Sequence, residues 1–172
     1  MNLQTPLGKN ILAALRAGDV CYVSGTIYTA RDAAHKRIVE SLQKNEALPF
    51  ELKDNLIFYV GPTPAKPSQA IGSCGPTTSY RMDDYTPILL DEGLAGMIGK
   101  GPRGEAVVSS MKKNTSVYFA ATGGCGALLS KHVSAAKVIA YDDLGAEAVH
   151  ELVVDKFPVI VATDCFGNSL YK

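Results

Sequence analysis

Runs rich in β-branched and aromatic residues stand at both ends of this chain, with helical patterns between them. That order suits a single α/β domain, residues 1–172, with a mixed rather than purely parallel sheet. Val20 to Tyr28 alternates as a strand with a break near Gly25. A helix is expected from about Ala30 to Asn45, and Asn55 to Val60 reads as a buried strand. Gly61 to Pro67 is a rigid, extended loop. Further on, the pattern predicts helical turns at Tyr80 to Tyr85 and Ile88 to Glu92, a short strand at Gly96, and an amphipathic helix over Arg103 to Lys113. Val117 to Ala121 is a strand, and Ala127 to His132 is helical. Ala135 to Tyr141, Val149 to Val154 and Pro158 to Thr163 read as three separate closing strands. Ahead of all these, Gly8 to Ala17 reads as a short helix.

The most informative stretch is Gly72-Ser73-Cys74-Gly75-Pro76-Thr77-Thr78-Ser79-Tyr80-Arg81-Met82-Asp83. Gly75 and Pro76 set a turn, and Thr77, Thr78 and Ser79 are good N-cap residues for a helix starting near Tyr80. Backbone N–H groups at such a start, with the positive end of the dipole behind them, suit an anion. Arg81 adds a planar fork for a carboxylate or phosphate. The same residues also suit a plain capped turn, and the pattern by itself leaves both readings open.

Two other cations stand in comparable places. Arg31 falls in the first turn of its helix, where the dipole disfavours a cation by roughly a few tenths of a kcal/mol. Such a cation either awaits an anion or is solvated, with Asp32 beside it to offset the dipole. Lys100 lies between Gly99 and Gly101, which let a ligand approach the backbone closely. His35 on the Arg31 helix reads as a hydrogen-bonded structural histidine. Thr122-Gly123-Gly124-Cys125-Gly126 repeats the strand–turn–helix design without the spacing of a phosphate loop, and reads as a packing turn.

Composition excludes several classes. The 17 basic and 17 acidic residues balance, with no basic run, zinc-finger or RNA-recognition signature, so nucleic acid is not an expected partner. No window reaches the length of a membrane span, and the first residues lack a secretory pattern, so a soluble, cytoplasmic protein is expected. The four cysteines, Cys21, Cys74, Cys125 and Cys165, are far apart and form neither a zinc pattern nor a local cluster motif. No metal ligands are therefore assigned in this chain.

Cys74 to Asp83 closely resembles the signature of the iron–sulfur (class I) fumarate hydratase and tartrate dehydratase family, in its β subunit, equivalent to the C-terminal domain of the single-chain enzymes. The resemblance extends through Gly18-Asp19-Val20, Ser24 to Arg37, Gly61-Pro62, Ile98 to Gly101, Gly145 to Ala148, Phe157-Pro158 and Phe166 to Tyr171. It departs from the family pattern at Tyr80, where many relatives have a smaller residue, and at Asp84, where proline is common. The resemblance implies a swivelling β/β/α domain. It implies a partner α subunit that holds a [4Fe–4S] cluster, an active site shared between the two, and an α2β2 assembly. The implied reaction is the reversible hydration of fumarate to malate, or alternatively the dehydration of tartrate to oxaloacetate. A non-catalytic dicarboxylate-binding or assembly module, or a self-contained enzyme with Cys74 as nucleophile, are the other readings. Carried over by position, Arg31, Arg81 and Lys100 are expected to hold the substrate carboxylates, and Thr77 to be the base that takes the C3 proton.

Overall fold

The computed structural model describes residues 1–171. Seven strands form one mixed sheet: β1 (Asn2–Gln4), β2 (Val20–Thr29), β3 (Leu56–Phe58), β4 (Gly96–Gly99), β5 (Val117–Ala120), β6 (Val133–Ala140) and β7 (Val149–Thr163). Five α-helices accompany them: α1 (Lys9–Ala14), α2 (Asp32–Gln43), α3 (Thr86–Asp91), α4 (Glu105–Asn114) and α5 (Gly126–Leu129). Strands β2, β3, β4 and β5 are parallel neighbours, linked through α2, α3 and α4. Strand β7 runs antiparallel to β5 on one side and to β2 on the other, so the parallel array closes on itself. β1 adds to β2 in parallel and β6 to β7 in antiparallel sense.

The two separate strands expected at Val149 to Val154 and Pro158 to Thr163 are one strand of 15 residues. Proline normally ends a central strand because it cannot donate to the ladder. Here the bend falls two residues earlier, at Lys156, whose φ of 48° is left-handed. Its N–H donates to Ser24 Oγ at 3.0 Å, opposite the register shift between Val23 and Gly25 of β2. The two irregularities face each other, so both strands bend together and pairing resumes with Phe157 against Val23 and Pro158 against Tyr22. The break expected near Gly25 is this bulge. Strand β1 was not expected, since three residues ahead of a proline carry too little pattern.

Alternation along the parallel strands divides the core in two. Leu56, Phe58, Val60, Ile98, Val117 and Phe119 point to one side, where they meet Leu152, Val154, Phe157, Val159 and Val161 of β7. Phe58 packs edge-on to Phe157 with ring centroids 5.3 Å apart. Ile57, Tyr59, Met97 and Tyr118 point to the other side and are covered by Ala34 and Ile38 of α2, Leu89 and Leu90 of α3, and Val107 and Met111 of α4. Each large side chain fully buried in this way contributes about 1.5–3 kcal/mol relative to exposure. Among the described residues, no helix is long and apolar enough to cross a membrane.

Candidate functional site

The carboxyl ends of the parallel strands are where an α/β sheet places its ligands, and the expected residues gather there. Arg31 follows β2. The segment from Tyr59 to Arg81 follows β3, Lys100 follows β4, and the glycine turn at 122–126 follows β5.

The helix expected at Tyr80 is a single 3-10 turn, Ser79–Met82, and none of Thr77, Thr78 or Ser79 caps it with its side chain. The segment is held instead by backbone pairing. Thr77 N–H donates to Tyr59 C=O at 2.6 Å, Thr78 forms a parallel bridge with Lys100, and Ser79 N–H donates to Lys100 C=O at 2.9 Å. In effect the segment lies as a short extra rung across the ends of β3 and β4. So short a turn has little dipole, and the positive character of this region rests on side-chain charge. Thr77 is half-buried, and its hydroxyl makes no hydrogen bond among the described residues.

Arg31 occupies the N-cap of α2 in an extended conformation, so α2 begins one residue after it. Its Nη2 lies 3.3 Å from Glu147 Oε1 and 3.7 Å from Asp32 Oδ2. Glu147 Oε2 in turn accepts from Ala33 N–H at 3.1 Å, supplying the first turn with the acceptor that Arg31 does not. A side chain at Gly61 would press tightly on the Arg31 guanidinium, so the glycine after β3 eases its placement. Asp32 reaches the other way as well, accepting from Arg81 Nε at 2.8 Å. Arg31 and Arg81 are thus joined through one carboxylate. The Arg81 side chain remains 45 % exposed and that of Arg31 22 %. Two buried atoms of this group, Arg31 Nε and Asp32 Oδ2, have no hydrogen-bond partner among the described residues.

Lys100 makes no ion pair among the described residues. Its side chain runs past Gly123, so the second glycine turn, which reads from sequence as packing, forms one wall beside the lysine. The structure therefore brings Arg31, Thr77, Arg81 and Lys100 to one rim of the sheet, linked through Asp32 and the Thr78–Lys100 bridge. Three cations face two carboxylates, Asp32 and Glu147, which leaves one net positive charge.

Sequence reasoning missed Arg103, which it read only as a helix start. Its side chain is fully buried. Nε donates to Asp83 Oδ1 at 2.8 Å, Nη2 to Thr86 Oγ1 at 2.7 Å and Nη1 to Tyr59 Oη at 3.3 Å. The guanidinium lies over the rings of Tyr59 and Tyr118. Burial works against its charge, but Tyr59 and Asp83 more than offset that, so its pKa lies above the ordinary value. Asp83 Oδ2 also accepts from Gly104 N–H at 2.7 Å. A cation three residues past a glycine-flanked lysine, at the start of a helix, was the available signal, of the same kind that singled out Arg31. Arg103 ties the end of the Thr77–Asp83 segment to the start of α4.

His35 is fully buried between these groups. Its Nδ1–H donates to Arg31 C=O at 2.8 Å, and its Nε2 has no partner. Burial lowers its pKa to about 4, and the Arg103 charge adds to that against the opposing hydrogen bond and Asp32. It is a neutral structural group, in line with the expectation. Cys74 is buried with its Sγ toward Gly126 C=O, and burial raises its pKa to about 11. It is not a poised thiolate. Among the described residues no group of three or more His, Cys, Asp or Glu is placed to hold a metal ion.

Comparison with known proteins bears on what such a rim is for. A family model described as Fumarase C-terminus matches residues 1–172. The chain is 41% identical over 172 residues to a protein of Methanocaldococcus jannaschii provisionally named L(+)-tartrate dehydratase subunit beta, a match spanning 96% of this chain and 88% of that one. It is 34% identical over 176 residues to fumarate hydratase 2 of Leishmania major, covering 100% of this chain and 31% of that one. It is also 34% identical over 177 residues to the aerobic class I fumarate hydratase of Escherichia coli K12, covering 100% of this chain and 32% of that one. The chain thus spans most of the first relative and about a third of the other two.

Proposed function

We propose, from the premise that this chain belongs to the fumarase C-terminus family, that it is the single-domain β subunit of a hydro-lyase that interconverts fumarate and malate. The observation that carries this reading is the joining of Arg31, Arg81, Thr77 and Lys100 at one strand-end rim. A planar fork, a second guanidinium and an ammonium suit the two carboxylates of a four-carbon diacid. A hydroxyl without an internal partner stands among them.

Dehydration of malate takes a proton from C3 and a hydroxyl from C2, and negative charge grows on the carboxylate beside C3 as the proton leaves. Arg31, Arg81 and Lys100 bind the diacid and offset that charge. Thr77 is assigned to accept the C3 proton or to orient the group that does. A free hydroxyl is too weak an acid to ionise at neutral pH, and the neighbouring cations shift it in the required direction. One net positive charge from this chain does not balance a dianion, which favours a site completed by a second chain. Relatives three times as long carry further chain in one polypeptide, and the archaeal relative is named a subunit.

The separated, mostly buried cysteines do not fit a [4Fe–4S] cluster held by this chain, so the cluster is assigned to the partner α subunit, in an α2β2 complex in the cytoplasm. When bound there, it supplies Lewis-acid chemistry at the departing hydroxyl. L(+)-tartrate, giving oxaloacetate, is the second reading, favoured by the 41% identity to the protein named for it. The test is an anaerobic assay of this chain with its cluster-bearing partner, following fumarate by ultraviolet absorbance and oxaloacetate from tartrate. Turnover that needs both chains supports the reading. Idle complexes with an intact cluster would leave a dicarboxylate-binding or assembly role, or turnover of another hydroxy acid.

A further inference from the structure

Both backbone groups of Lys100 are taken by one residue. Lys100 N–H donates to Ser79 Oγ at 3.1 Å, and Lys100 C=O accepts from Ser79 N–H at 2.9 Å. Gly101 is held from both sides too: Tyr118 Oη donates to its carbonyl at 2.8 Å, and its N–H donates to Tyr171 Oη at 3.2 Å. Ser79 Oγ and Tyr118 Oη are 2.9 Å apart. The protons follow by elimination. A carbonyl only accepts, so the Tyr118 proton goes to Gly101, and the Ser79 proton must then go to Tyr118 Oη. The result is a directed chain from Lys100 N–H to Ser79, from Ser79 to Tyr118, and from Tyr118 back to Gly101. Burial raises the Tyr118 pKa well above the ordinary phenol value, outweighing Ser79 and Arg103, so the phenol keeps its proton.

These hydroxyls serve the backbone at Lys100 and Gly101. Ser79 and Tyr118 are fully buried, and Tyr118 lies in the second apolar cluster under the Arg103 guanidinium. Their hydrogen bonds end on backbone groups, Lys100 N–H and Gly101 C=O, which apolar replacements would leave without these partners. The fold also makes way for them: at Gly99 a Cβ would overlap the Ser79 hydroxyl, so only glycine there admits it. What the hydroxyls uniquely do is set the backbone of Lys100 and Gly101 against the segment that carries Thr77 and Arg81.

We propose that Ser79 and Tyr118 are positioning residues for the dicarboxylate site, fixing Lys100 in register with Thr77 and Arg81 so that ammonium, hydroxyl and guanidinium meet one substrate in one geometry. This rests on the function proposed above. Displacement of a binding group by about 1 Å can cost on the order of a hundredfold.

The test is a double-mutant cycle in the complete two-chain enzyme, read on the dissociation constant of the dicarboxylate, which stays measurable when turnover is lost. Tyr118→Phe and Ser79→Ala are each made alone and together with Lys100→Ala. Each single variant is expected to weaken binding about tenfold and to lower kcat as well, while costing less than about twofold once Lys100 is absent. Equal losses in both backgrounds, or no loss with Lys100 present, overturn the proposal, because the hydroxyls would not be acting through the lysine. So would failure of both Tyr118→Phe and Ser79→Ala to fold, which would make the hydroxyls part of the fold itself. A wild-type complex that neither binds nor turns over fumarate or tartrate removes the functional reading, and this inference with it. An active wild type with a flat cycle removes the inference alone.

Discussion

Arg81 Nε donates to Asp32 Oδ1 at 2.8 Å, and the same carboxylate lies beside Arg31. A carboxylate between two guanidiniums is a costly arrangement at the proposed diacid site, since it would compete with the substrate for the same charges. It also leaves the outer Nη edge of Arg81 free while fixing the plane of the fork. Asp32→Asn is therefore expected to lower kcat/KM for the dicarboxylate by about tenfold or more, through loss of orientation. Stability should change little, because partly exposed ion pairs are worth about 0–1 kcal/mol. Steady-state kinetics beside a thermal melt checks this. An unchanged or improved kcat/KM would show that Asp32 only moderates charge.

The fork itself is the next point. Arg81→Lys keeps the charge and loses the planar pair of donors. A large loss of kcat/KM is expected, on the order of a hundredfold, with the melting temperature retained. Near-normal turnover would sink the carboxylate-clamp assignment.

Thr77 is separable from the cations by Thr77→Val, which keeps shape and removes the hydroxyl. If Thr77 takes the C3 proton, kcat falls by about a thousandfold or more while dicarboxylate affinity changes little. Retained turnover with weakened binding would reduce it to an orienting group.

The parallel strands and their helices were legible because each carries its own period: the alternation of Val20 to Tyr28 and the apolar face of α4 survive into the structure. The cations of the candidate site stood out as locally unusual, Arg31 at a helix start and Lys100 between glycines, though those positions alone left a solvated reading open. What could not be read was anything that depends on two distant segments meeting. The bend at Lys156 works only because Ser24 stands opposite it. The hydroxyls of Thr77 to Ser79 have the composition of a cap, but their segment is claimed by the ends of β3 and β4, and Ser79 turns inward to Tyr118. Arg103 is buried only because Asp83, Thr86 and Tyr59 arrive from three other elements.

A nucleophilic role for Cys74 is testable directly. Its thiol is buried, its pKa is pushed up to about 11 by that burial, and Gly126 C=O is its hydrogen-bond partner. At neutral pH almost none of it is thiolate, which is the reactive form. Cys74→Ala is expected to keep most of the activity, and mild alkylation of the native chain should label Cys125, the most exposed of the four cysteines, before Cys74. Inactivation that tracks Cys74 labelling would reverse this view.

His35 links the site to the pH dependence of folding. Its folded pKa of about 4 lies below the ordinary histidine value, chiefly through burial. The unfolded chain therefore takes up a proton as pH falls below about 6.5, while the folded chain does so only near 4. More protons on the unfolded state mean that stability is fully present above about pH 6.5 and is lost as pH falls toward 4, at about 1.4 kcal/mol per unit and about 3 kcal/mol in all. The Nδ1–H bond to Arg31 C=O stays intact in the neutral form, and protonation would place a second, unpartnered N–H in the buried pocket at Nε2. His35→Asn keeps an amide donor near the Nδ1 position and removes the titration. Its urea midpoint at neutral pH should be lower than that of the wild type, because the smaller side chain leaves a cavity. Between about pH 7 and pH 5, however, the midpoint should fall less steeply than the wild type's. Parallel slopes for the two proteins would mean that His35 is not the group that carries the acid sensitivity.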